Sequence, residues 1–349
     1  MRVSRSAPTL VTFHFLAVTI HLGMWPAARG GLEGTELAFG SQKLLYREVV
    51  LLEVCLTLVL AVHLMCVNVA TAGPLVCIWL EWKEAGQDSL AGRLGRFLAW
   101  ASLALLVAGA GLGLVLGLLL WDDGYRGVLA RFPSRIHYGV WELLFSLVLM
   151  LLHALWWGWV PRPSAVHRFG RSLLPLLSGT NLMYHFPYLF VILSDVAAGL
   201  VKPESTFRQL IVDGSVTARV VHFGMAAFAM TGTTMIGWTL WRRRSPLDPV
   251  DQSRAAIWGA RIALVPTLLQ IPIGVWVLSQ LPAVPQQRLL GGDVIATGLF
   301  TLSVLAAVWL MHQLSAVALG ETRRPVLVKI VAAMVIVIFL MTGVLQRLN

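Results

Sequence analysis

Of 349 residues, 57% are hydrophobic and 13% charged, where a soluble domain carries roughly 25% charged residues. Mean hydropathy is +0.76, and apolar runs of about twenty residues recur along the whole chain, each long enough to cross a hydrocarbon core of about 30 Å. A soluble globular protein is excluded, and so is a β-barrel, whose strands would alternate apolar and polar residues.

Helices satisfy their backbone groups internally in lipid. The expected fold is therefore all-α: a polytopic transmembrane helix bundle of about nine spans in one integral membrane domain. The net charge of +10 does not point to nucleic acid. Lys and Arg punctuate the apolar runs at what read as loop positions, so they serve as topology and headgroup charges.

In chain order the spans read as 9–28, 49–80, 97–121, 138–160, 173–194, 218–241, 255–279, 293–319 and 326–347. The first follows Arg2 and Arg5 and resembles a signal peptide. Trp25-Pro26-Ala27-Ala28 is a poor cleavage site, however, so a retained helix is expected. The second is long for one crossing, with a bend expected at Gly73-Pro74. It carries Cys55, Cys66 and Cys77, eleven apart. That spacing is close to three helical turns, so they line one stripe as small packing residues, too distant for disulfides. The glycine run Gly109, Gly111, Gly113 lies inside the third span and reads as a close helix contact rather than a phosphate loop. Arg242-Arg243-Arg244 with Arg254, and Arg323-Arg324 with Lys329, fall on one side. Positive-inside then puts the N-terminus in the cytoplasm and the C-terminus outside.

The histidines carry the functional signal. His14, His21, His63, His137, His153, His185, His222 and His312 fall within or at the edge of spans; His167 lies in a loop. Ionisable groups inside a membrane are costly and usually functional. Neutral imidazoles in an apolar bundle suit haem iron, which also wants an apolar slot between helices. They also suit a proton path. A tight metal cluster is not indicated, since no H-x-x-x-H or E-x-x-H occurs within a span. Glu142 and Arg261 are the other charged candidates inside spans. A guanidinium there either snorkels to the surface or pairs with a carboxylate such as a haem propionate.

Several stretches resemble subunit I of the cytochrome bd quinol oxidase family, in family order over residues 49–265. His63-Leu64-Met65-Cys66 with Glu81 eighteen residues on resembles the first family helix, which carries a haem-ligating histidine. Trp141-Glu142-Leu143 through Gly158-Trp159 resembles the third, and Gly179-Thr180-Asn181-Leu182 the fourth. Arg219-Val220-Val221-His222 resembles the fifth, whose histidine ligates the low-spin b haem. Trp258-Gly259-Ala260-Arg261-Ile262 resembles a later Trp-x-x-Arg-Ile. The resemblance leaves 1–48 as an extra N-terminal helix and loop, and 266–349 as C-terminal helices.

What the resemblance implies is a b-type cytochrome with one to three haems in a respiratory chain of a bacterial cytoplasmic membrane. It implies His63 and His222 as iron ligands, and cofactor roles for Arg261 and Glu142. Its partners are other membrane or cytochrome subunits, a quinone or an external cytochrome. The departures are specific. Ala263 stands where the family has its second low-spin ligand, a methionine, which leaves His185 as a candidate replacement and His14, His21, His153 and His312 as further ones. The link from Arg242 to Arg254 is too short for the family's quinol loop, and the Gly-Arg-Gln-Pro-Trp segment is absent. An oxidoreductase activity toward quinol and oxygen is therefore not expected of this chain alone. From the residues by themselves, a proton-coupled transporter or channel and a haem-free scaffold subunit remain as other readings.

Overall fold

The computed structural model describes residues 35–84, 86, 88–159, 164–241 and 248–348, with backbone only for 35–50. The expected first span, with His14 and His21, and the basic run Arg242–Arg244 lie outside the described residues.

Eleven α-helices account for the described chain: α1 Thr35–Lys83, α2 Leu90–Leu119, α3 Asp123–Ala130, α4 Pro133–Trp159, α5 Ala165–Ala197, α6 Phe207–Ile211, α7 Gly214–Trp241, α8 Pro249–Gln280, α9 Ala283–Gln287, α10 Val294–Ala318 and α11 Arg324–Leu348. Eight are long and apolar enough to cross a membrane: α1 (over Leu51–Lys83), α2, α4, α5, α7, α8, α10 and α11. The long second span is one helix of 49 residues, about 73 Å at 1.5 Å per residue.

Several helices start where a side chain meets the orphan backbone N–H groups of the first turn. Ser89 accepts from Gly92 N–H at 3.0 Å before α2. Ser164 caps α5. Asp248 caps α8 ahead of Pro249 at its first position. Asp293 accepts from Ile295 and Ala296 before α10. At the far end of α5, Gly199 takes φ +70°, a left-handed conformation open to glycine. It closes the helix as Leu200 N–H donates back to Asp195 O at 2.9 Å.

The spans pack as two rings of four. α1, α2, α4 and α5 form one; α7, α8, α10 and α11 form the other; α1 and α7 face each other across the junction. Small residues set the closest approaches. An added Cβ at Gly73 would lie 2.0 Å from Ser102 Oγ, so Gly73 lets α2 press on α1, and the helix runs on through Pro74. Between α7 and α8, a Cβ at Gly232 would lie 2.5 Å from Gly259 O and 2.9 Å from Ala263 Cβ. The two backbones touch there with no room for a side chain.

Several helices run past the ends that hydropathy gives them. α5 starts at Ala165, where the sequence suggests 173, and α1 runs to Lys83 rather than 80. Charged residues read as loop charges are thereby carried inside helices. Arg171 is the clearest correction: it lies inside α5 and is buried, as is Glu81 on α1. At this end of the bundle Ser253 Oγ meets Thr322 Oγ1 at 2.9 Å, so the start of α8 and the α10–α11 link share one face.

Candidate functional site

His63 sits on the face of α1 that meets the glycine run of α2. A Cβ at Gly109 would lie 2.9 Å from Val67 Cγ1, and one at Gly113 would lie 3.2 Å from His63 Cε1. Glycine at both positions lets the α2 backbone come close enough for Gly109 O to accept from His63 Nδ1 at 2.9 Å. A carbonyl only accepts, so Nδ1 of the neutral ring carries the proton and Nε2 keeps its lone pair. A histidine that binds iron or another metal through one nitrogen is commonly oriented by this kind of bond at the other.

His222 lies on α7 in its third turn. Its Nδ1 is buried and has no hydrogen-bond partner. His185 on α5 is half-exposed. Its Nδ1 meets Glu142 Oε1 on α4 at 2.9 Å, the side chains being 40% and 26% exposed. Asn181 braces the same contact, donating to Glu142 O at 3.0 Å and Ser146 Oγ at 2.9 Å. Asn181 therefore ties α5 to α4 beneath the His–Glu pair.

Arg261 on α8 donates through Nε and Nη2 to Ala318 O at 3.4 and 3.3 Å. Ala318 ends α10, where carbonyls lack helical partners and the macrodipole is negative. The guanidinium thus caps that helix from outside. Ala263, two residues further on, is fully buried in the α7–α8 seam against Gly232. The seam leaves no space there for a longer ligating side chain.

Of the expected site residues, the structure joins His185 to Glu142. His63, His222 and Arg261 stand on three different helices with no hydrogen bond or ion pair between them. His312 and His137 are exposed on their helices, and His167 bonds Ser164 at the start of α5. Among the described residues no group of three or more His, Cys, Asp or Glu is gathered for a metal ion.

Sequence reasoning missed a buried cluster between α1, α4 and α5. Arg171 Nη2 donates to Glu81 Oε1 at 2.5 Å, both side chains being 4% exposed. The guanidinium lies over the Trp157 ring at 4.7 Å, and Trp157 Nε1 donates to Gly92 O at 3.0 Å. His153 packs edge-on against Trp157 at 5.3 Å, with no hydrogen-bond partner at either ring nitrogen. A second pair, Asp195 with Arg219, joins α5 to α7 near the other end. One signal was available: Pro163-Ser164 marks a helix start, which already places Arg171 two turns inside α5.

No protein-family model and no curated protein matches the chain. In three dimensions it is similar to a chain of the bd oxidase from Geobacillus thermodenitrificans, with a TM-score of 0.67 and 13% sequence identity, over 84% of this chain and 85% of that one. The matched share exceeds what residues 49–265 make up, so the likeness extends beyond that stretch. At that identity the likeness is one of architecture: the helical bundle, with eight candidate spans among the described residues, has a bd-oxidase-like fold.

Proposed function

We propose that the protein is a b-type cytochrome that moves electrons through haem in the cytoplasmic membrane of a bacterium. The observation that carries this reading is His63. It lies in an apolar span, and its Nδ1 bond to Gly109 O leaves the Nε2 lone pair for another partner.

In this reading His63 and His222 are the iron ligands, and haem supplies one-electron redox chemistry at its iron. The Gly109 carbonyl holds the His63 ring in one tautomer and one orientation. The buried, unpartnered Nδ1 of His222 is a polar atom that an apolar span leaves without a partner only at a cost. With Ala263 locked in the α7–α8 seam, the second ligand beside His222 comes from elsewhere or is absent. His185, held by Glu142, is the candidate. Arg261, on α8 beside the C-terminal end of α10, contributes a positive charge suited to a carboxylate such as a propionate. The electron partners belong among membrane or cytochrome subunits, a quinone or an external cytochrome. The end bearing Arg254 and Arg323 is assigned to the cytoplasm, with the C-terminus outside.

The test is an absorption spectrum of the full-length protein purified from haem-replete cells, oxidised and then reduced. The expected result is a reduced b-type spectrum whose pigment acid-acetone extracts from the polypeptide. His63→Leu and His222→Leu should each remove a haem signal. A colourless preparation sinks the proposal.

A further inference from the structure

The Glu81–Arg171 pair is incomplete in a way that a structural ion pair would not be. An ionised carboxylate offers about four lone-pair sites and a guanidinium five N–H donors. Glu81 uses only Oε1; its Oε2 is buried without a partner. Arg171 donates to Glu81 and, at 3.4 Å, to Trp157 O, while its Nε is also buried without a partner. A half-satisfied buried network is less stable than an apolar core of the same shape. Buried charge in a transmembrane bundle that faces a cavity rather than lipid marks ion or proton pathways.

There is such a cavity. It measures about 10 Å³, and Glu81, Arg171 and Trp157 line it together with Gly92, Glu84 and Arg168. That volume has room for about one water. Glu84 and Arg168 lead from it to the aqueous end of the bundle. There Glu84 pairs with Arg254, and Arg254 with Asp251 at 3.6 Å. Asp251 in turn meets Arg93 at 2.5 Å. Charged groups therefore form a continuous path from the surface to a buried carboxylate oxygen.

We propose that this cavity is a proton-exchange site and that Glu81 Oε2 is the group that loads. A proton arrives as hydronium on the cavity water. One O–H bond of the hydronium breaks, one forms on Oε2, and water remains. Glu81 becomes neutral while Arg171 keeps its charge. The groups facing Glu81 set the balance. Arg171 and Arg168 face it from α5, Cys77 from α1 itself and Glu84 from just past the end of α1, and His153 faces the same tryptophan from α4. Nothing in this site rests on haem.

The test uses the full-length protein in nanodiscs with carbon-13-labelled glutamate, followed by infrared difference spectroscopy through pH jumps in water and deuterium oxide. A protonated carboxyl band should rise on acidification while the protein stays folded, and it should exchange with deuterium. Glu81→Gln should abolish it. Glu84→Gln should keep the band and slow its exchange by roughly 10²-fold, the scale of a positioned acid–base group. If Glu81→Gln does not fold, the exchange rates of the unmutated protein and Glu84→Gln decide. Absence of the band across the folded range, its survival in Glu81→Gln, or exchange indifferent to Glu84 overturns the proposal and leaves the pair as a staple.

Discussion

Helix α5 carries an ion pair near each end, and the two are built differently. They are on the order of 35 Å apart along the helix. Toward its C-terminus, Asp195 takes both guanidinium nitrogens of Arg219, at 2.8 and 2.5 Å. Arg219 Nε also donates to Ser215 O at 3.0 Å, and the side chains are 26% and 9% exposed. This is a two-pronged pair with its donors spent and water within reach. Toward its N-terminus, Glu81 and Arg171 share one contact at 4% exposure each and leave an oxygen and a nitrogen unpartnered. The same two functional groups thus act as a closed link between α5 and α7 at one end. At the other they form an open arrangement, with unpartnered atoms, against a cavity.

The largest effect that tests this contrast is at Arg171. Arg171→Leu leaves Glu81 as a buried charge with no counterion. It should cost about 3–5 kcal/mol of stability, the usual penalty for breaking one side of a buried pair. The double variant Glu81→Leu/Arg171→Leu should recover most of that, since two apolar residues fill the site without unmet valences. Thermal unfolding of the purified variants in detergent measures both. A double variant as unstable as the single one would show that the pair is a net stabiliser and remove the contrast.

At the other end the pattern should reverse. Arg219→Leu gives up two charge-assisted hydrogen bonds to Asp195 and should cost about 1.5–3 kcal/mol. Here Asp195→Leu/Arg219→Leu should not recover, because the contacts of Arg219 with Ser215 are lost as well and water can reach the site. The same unfolding assay reads the coupling. Recovery in this double variant would place the two pairs in one class.

Why the spans could be read from the sequence and these two pairs could not is a matter of range. The expected spans from 49 onward correspond to described helices because each is a local apolar run. Hydropathy registers only apolar content, so the span ends fell short of Glu81 by one residue and of Arg171 by two, and Arg171 looked like a loop charge. His63 was visible as a histidine in an apolar run. Its partner Gly109 is 46 residues away, and Arg171 is 90 residues from Glu81. Such pairings depend on which helices become neighbours, and no local pattern encodes that. The role of Ala263 divides along the same line. Its failure to ligate was legible from residue type, whereas its closure against Gly232 needed the α7–α8 crossing.

The smallest effect concerns Asp213, which sits beside the closed pair and caps α7. Its Oδ1 accepts from the Ser215 hydroxyl at 2.6 Å and from Ser215 N–H at 2.8 Å. These bonds hold its carboxyl below the ordinary carboxylate range, the Ser215 hydroxyl first, with Arg219 adding a weaker pull. The folded-state value is therefore depressed relative to the unfolded chain. The stabilisation is fully present above the unfolded value of about 3.9. It fades as pH falls through the lower folded value. Ser215 Oγ also lies 3.4 Å from Arg219 Nη2, so protonating Asp213 loosens one neighbour of the Asp195–Arg219 link. Asp213→Ala should cost about 1 kcal/mol at neutral pH, as for other lost N-caps. Asp213→Asn keeps a good cap and removes only the charge. Its deficit relative to the unmutated protein should shrink on acidification, measured as the difference in Tm between the two proteins from neutral pH into the acid range. A constant difference across that range would mean that the carboxylate acts only as a hydrogen-bond acceptor and that its charge contributes nothing to the α5–α7 end.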